Sequence, residues 1–61
     1  MVNITSIELT SLREQLTQEQ MLVSKYQQLS KQTPDGNLKK KYEDIAQKHQ
    51  KHFDTLFSII S

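Results

Sequence analysis

The segment Thr33-Pro34-Asp35-Gly36-Asn37 decides the fold, because it interrupts a chain that otherwise favours helix. It holds the only proline and the only glycine among 61 residues. Pro34 lacks a backbone N–H and disfavours the helical conformation at Thr33, while Asp35 or Thr33 can cap the helix that follows. A connection this short makes the flanking helices antiparallel neighbours. We therefore predict an all-α helical hairpin, a single domain over residues 1–61, with its turn at 33–35.

The first helix is predicted over about residues 5–32, which contain neither glycine nor proline. Thr5 and Glu8 have the spacing of a capping box, and Ser11 with Glu14 offers a later alternative start. Alternating steps of three and four place seven residues on one side of this helix: Leu9, Leu12, Leu16, Glu19, Val23, Tyr26 and Ser30. Two further leucines, Leu22 and Leu29, widen that side, as expected of a helix that packs against more than one neighbour.

The second helix is predicted over about residues 36–60 and carries two neighbouring apolar rows. The first row is Leu38, Tyr42, Ile45, His49, His52, Leu56 and Ile59. The second row repeats every seven residues as Ala46, Phe53 and Ile60. A hairpin alone needs only one row, so we expect the second row, with Leu22, Leu29 and Phe57, to pack against another copy. Two hairpins would then form a four-helix bundle.

Composition favours the same association. A chain of 61 residues buries little apolar surface, and without cysteine it has no disulfide to compensate, so a second copy is the remaining route to stability. The formal charge of +1 provides no strong field for nucleic acid or acidic membranes. The sequence has no apolar run near the roughly 20 residues of a membrane span and no signal-peptide pattern at its start. We expect a cytoplasmic homodimer with no membrane partner.

The position of the turn also predicts which residues meet across the hairpin. If the chain folds about Pro34, opposite residues have numbers that sum to about 68. The predicted pairs are Leu12 with Leu56, Leu16 with His52, Glu19 with His49, Val23 with Ile45, Tyr26 with Tyr42, and Ser30 with Leu38. The acid of the first helix therefore lies level with a histidine of the second.

A polar layer is thus predicted inside an apolar seam, formed by Glu19, His49, His52, Tyr26 and Tyr42. A carboxylate or an imidazolium buried alone is costly, whereas the two together share a hydrogen bond or a charge. One interpretation is a hydrogen-bond network that fixes register and oligomeric state. The alternative is a site for a divalent metal with Glu19 and His49 as ligands.

The spacing of these residues resembles one half of a ferritin-like bundle of the rubrerythrin type, and also the small spore coat protein F-like proteins of that superfamily. The resemblance extends from about Leu9 to Ile60 and rests on Glu19, on Tyr26 seven positions later, on a short turn and on His49. It implies that Glu19 and His49 occupy ligand positions. The glutamate of the family's Glu-x-x-His pair falls on Ala46, which cannot bind metal, so the resemblance implies a structural bundle rather than a di-iron oxidase. It also allows a location in the spore coat.

A basic surface on the second helix gives a third alternative, an RNA- or DNA-binding hairpin dimer that uses Lys39, Lys40, Lys41 and Lys48. Glu43 interrupts this surface, so a solvated face is the preferred interpretation. The sequence contains no nucleophile set with a base and no glycine-rich phosphate loop. The leading functional prediction is therefore a structural or interaction protein without catalysis or cofactor.

Overall fold

The computed structural model describes residues 3–61. Within that part the chain forms two α-helices and no strand: α1 spans Ser6–Gln32 and α2 spans Gly36–Phe57. The helices pack along their length into a rod of 46 × 16 × 11 Å. The all-α helical hairpin predicted from the sequence is confirmed. Neither helix in residues 3–61 is long and apolar enough to cross a membrane.

A capping box starts α1 at the first of the two predicted positions. The backbone N–H of Glu8 donates to the Thr5 hydroxyl oxygen at 3.1 Å, and the backbone N–H of Thr5 donates to the Glu8 carboxylate at 2.9 Å. These two bonds satisfy donors that the first helical turn would otherwise leave without partners. The bond from the Thr5 backbone, followed by that from its side chain, lowers the pKa of Glu8 below its ordinary value.

The turn is held by caps on both sides. Thr33 has extended backbone angles, and its N–H donates to the Leu29 carbonyl at 3.0 Å. The Asp35 carboxylate accepts from the backbone N–H groups of Asn37 and Leu38 at 2.9 and 3.1 Å, so Asp35 is the cap of α2. Thr33 accepts from the Asp35 N–H at 3.2 Å, which fixes the connection between the two caps.

The end of α2 comes three residues before the predicted position. The N–H groups of Ile59 and Ile60 donate to carbonyls three residues back, at Leu56 and Phe57, both at 3.1 Å. The last turn therefore tightens and leaves the α-helical pattern after Phe57. Such tightening is common at a helix end, where carbonyls have no partners further along the helix.

The core of the single hairpin is small. Its buried apolar residues are Leu12, Val23 and Ala46, and no large side chain of the described residues is fully enclosed. Ser30 is also buried, and its hydroxyl donates to the Gln27 carbonyl at 2.8 Å, which offsets the cost of burying it. Most large apolar side chains consequently remain partly exposed.

Candidate functional site

The predicted polar pair lies near the middle of the hairpin. His49 Nδ1 is 2.6 Å from Glu19 Oε1, a contact that joins α1 to α2. Closer to the turn, the rings of Tyr26 and Tyr42 lie 5.9 Å apart between centroids. Both are pairs that the register about Pro34 predicts, so counting outward from the turn placed these two pairs correctly.

A second histidine approaches the same carboxylate oxygen. His52 Nδ1 is 3.5 Å from Glu19 Oε1, and the two imidazole rings meet edge to face at 5.5 Å. The side chains of Glu19 and His49 are 20% and 22% exposed, whereas that of His52 is 58% exposed. The cluster therefore has a sheltered pair at its base and one ligand-type residue at the solvent boundary.

An aromatic ring of α1 lies beside the cluster. The Tyr26 ring is stacked on the His49 imidazole, with centroids 6.1 Å apart and planes within 13°. Lys25 Nζ lies 5.6 Å from the Tyr26 centroid, a distance at which a cation is attracted to the ring face. Near-parallel planes at this distance are compatible with the ring orientation in which His49 Nδ1 meets Glu19.

The closeness of His52 to Glu19 does not follow from the register, which places His52 opposite Leu16. The available signal was the spacing of three between His49 and His52, because residues three apart on a helix share a face. Glu19, His49 and His52 offer ligand atoms that lie within 4.8 Å of one another. Within residues 3–61, these three form the cluster of histidine and carboxylate side chains that could hold a metal ion.

The residues present do not fit a carboxylate-bridged di-iron centre. Ala46 stands where the resemblance requires the bridging glutamate, and it is 5% exposed. Its methyl group lines a groove with Val23 and Ser30 and offers no ligand atom.

The six residues predicted to pack against a second copy do not form one surface. Phe53 lines a groove with Gln20 and Gln27, on the side of the hairpin that also carries Ala46 and Gln50. We call this side the glutamine face. Phe53 stacks on the exposed Phe57 at 5.9 Å, and Ile60 is exposed near the end of the chain.

Leu22 and Leu29 belong to the opposite side of the hairpin. Gln15, Leu22 and Leu29 are spaced seven residues apart, so they lie on the same side of α1. Gln15 lines a different groove, together with Leu56 and Ile59. On α2, Leu56 lines the same groove, and His52, Ile45 and Leu38 precede it by 4, 11 and 18 positions, which are helical spacings that share its side. We call this side the leucine face; its residues are Leu22, Leu29, Leu38, Ile45, His52 and Ile59. Ala46, by contrast, is already buried within one chain, so it is covered without a partner.

The four lysines of the nucleic-acid alternative, Lys39, Lys40, Lys41 and Lys48, are all exposed. Glu43 and Asp44 are exposed on the same stretch of α2. Because these two acids stand between Lys41 and Lys48, the surface does not form a continuous basic stripe.

Comparison of the chain with protein-family models, curated proteins and solved structures found no match in any of the three.

Proposed function

We propose that the protein is a small intracellular structural or interaction module, without catalysis, whose working form is a homodimer of hairpins. The observation that carries the proposal is the leucine face, a row of apolar side chains that one hairpin leaves partly exposed. Leu38 and Ile59 are 38% and 39% exposed, and Leu22, Leu29 and Ile45 are partly exposed. Burial of such side chains against a second copy is favourable by roughly 25 cal/mol per Å² of apolar surface.

The dimensions of the hairpin support a second copy as the occupant of this face. One long side of the rod, 46 Å by 16 Å, has a flat area of roughly 700 Å², close to the ~800 Å² that each partner contributes to a standard interface. A small chain without disulfides also needs additional burial to be stable. Antiparallel docking through this side would form a four-helix bundle with the glutamine face outward.

The resemblance to ferritin-like and spore coat F-like proteins supports the same architecture. In such a bundle the Glu19–His49 pair would act as a register device, because any sliding of one helix past the other separates the two groups. In this proposal the Glu19–His49 pair aligns α1 with α2, and no reaction is assigned to it.

The test is sedimentation velocity over a range of protein concentrations in buffer that contains a chelator. We expect a dimer at micromolar concentration for the unmodified chain. Leu29→Glu removes apolar burial of about 1.5–3 kcal/mol from each copy. A twofold interface loses this amount twice, so the dimer Kd should rise at least about 100-fold.

Gln27→Glu is the matched control, since it adds the same charge two residues away on the glutamine face. It should leave the dimer Kd within about threefold, given the small effect of an exposed charge. A monomer at all concentrations up to the millimolar range would refute the dimer. A dimer that Gln27→Glu disrupts and Leu29→Glu does not would refute docking through the leucine face.

A further inference from the structure

We propose that Glu19, His49 and His52 together bind one divalent first-row transition-metal ion, of the class of zinc or cobalt, within a single hairpin. All three ligand atoms come from one chain and already lie within 4.8 Å of one another. The site therefore does not depend on association with a second copy.

One of the distances between ligand atoms already suits a tetrahedral ion, and a second needs a small adjustment. Metal bonds of 2.0–2.2 Å place the ligand atoms of such an ion about 3.3–3.6 Å apart. The Nδ1 atom of His52 is 3.5 Å from Glu19 Oε1, which is within that range. The corresponding atom of His49 is closer, at 2.6 Å, because the two groups share a hydrogen bond. Replacement of the shared proton by a metal ion requires this pair to separate by less than about 1 Å.

The donor set selects the class of ion. Two imidazoles and one carboxylate suit zinc, cobalt, nickel and copper, whereas calcium and magnesium prefer sites made of oxygen atoms. The histidines come from α2 and the glutamate from α1, so a bound ion would link the helices. Three protein ligands leave a fourth position for water or another small ligand.

The three proposed ligands differ in their exposure to solvent. Glu19 and His49 are largely covered, and the Tyr26 ring lies near-parallel to the His49 ring at 6.1 Å between centroids. His52 is 58% exposed in the single hairpin, so an ion can enter before a second copy covers the leucine face. A register device needs only the Glu19–His49 hydrogen bond. His52, at the limit of hydrogen-bond distance from the same oxygen, adds little to that bond but completes a set of three ligands.

The experiment is a titration of the full chain, stripped of metal, with zinc chloride by calorimetry and with cobalt chloride by visible absorption. We expect saturable binding of one ion per chain and the absorption spectrum of tetrahedral cobalt. His52→Gln should raise the Kd at least about tenfold, because loss even of groups that only orient metal ligands costs 10–100-fold. Binding should also weaken as pH falls, since protons compete for the imidazoles.

Lys51→Gln is the matched control, because it changes an exposed neighbour of His52 that offers no ligand. It should leave the Kd within about twofold, as an exposed and solvent-screened charge contributes little. Far-UV circular dichroism checks that each variant keeps its helices. No saturable binding at micromolar metal, or equal binding by His52→Gln, would overturn the proposal. So would a stoichiometry of one ion per two chains. Dimerisation measured in chelator is a separate result and can fail or succeed independently.

Discussion

The strength of the Glu19–His49 contact can be measured with a double-mutant cycle. The cycle uses Glu19→Gln, His49→Gln and the double variant, because glutamine keeps most of the side-chain volume while removing the carboxylate or the imidazole. Chelator in the buffer keeps any metal from contributing, and a fixed protein concentration removes the effect of association on stability. The measured quantity is the coupling free energy of unfolding from urea titrations.

The structure sets the expected magnitude. Fully exposed ion pairs contribute about 0–1 kcal/mol, and hydrogen bonds to charged groups about 1.5–3 kcal/mol. At 2.6 Å, with side chains 20% and 22% exposed, the pair lies between these classes. We expect a coupling of about 1–1.5 kcal/mol at neutral pH. Each single variant should lower the melting temperature by about 5–10 °C in a chain of this size.

A second cycle on Gln50 and Asp54 gives the control. Their side chains are joined by a 3.0 Å hydrogen bond on the exposed surface of α2. Pairs of this type on one helix contribute about 0.2–0.5 kcal/mol. If the coupling of Glu19 with His49 is no larger than that of this control pair, the inference that the polar layer holds the two helices in register is wrong.

Two other predictions concern the hairpin itself. Leu12→Ala, at a position 8% exposed, should lower the free energy of unfolding by about 2–3 kcal/mol. This is the low end for a buried leucine, because the site lies beside an open groove. The control Ile7→Ala, at 82% exposure, should cost less than about 0.5 kcal/mol, and equal urea midpoints for the two variants would contradict the assigned core. The lowered pKa of Glu8, held by its bonds to Thr5, means that its contribution is present above the ordinary carboxyl value and is lost as pH falls through the folded-state pKa. Thermal melts in a series of acidic buffers that extends below the ordinary carboxyl pKa should therefore show a smaller loss of stability for Glu8→Gln than for the unmodified chain. The control Glu14→Gln keeps Glu8 and should lose as much as the unmodified chain, so an equal loss in Glu8→Gln would refute this.

Local sequence signals predicted the fold. Pro34 and the Thr5–Glu8 spacing act on the backbone within a few residues, so they place the turn and the start of α1 without knowledge of the rest of the chain. The register followed because helices joined by three residues leave little freedom to slide. Counting from Pro34 was therefore enough to bring Glu19 to His49.

The remaining features depend on information that spacing does not contain. A seven-residue repeat shows that Ala46, Phe53 and Ile60 share a stripe, but not on which side of the hairpin that stripe falls relative to Leu22. That relation depends on how each helix is rotated about its axis when the two pack. The approach of His52 to Glu19 likewise depends on a side-chain rotamer. The end of α2 is set by a balance of weak hydrogen bonds in its last turn.

The short capped turn also sets the entropy cost of each contact between the two helices, because contacts near the turn close shorter loops. The Tyr26–Tyr42 contact closes a short loop, whereas Glu19–His49 joins residues 30 apart in sequence. Once the helices meet at the turn, each further contact pair lengthens the enclosed loop by only about one turn of each helix. The entropy cost of closing a loop grows only logarithmically with its length. We therefore expect closure to proceed from the turn outward, with the polar layer forming after the tyrosines. We expect the apolar residues at the far end, including the exposed Ile59, to be ordered last and to open first, which amide hydrogen exchange can measure.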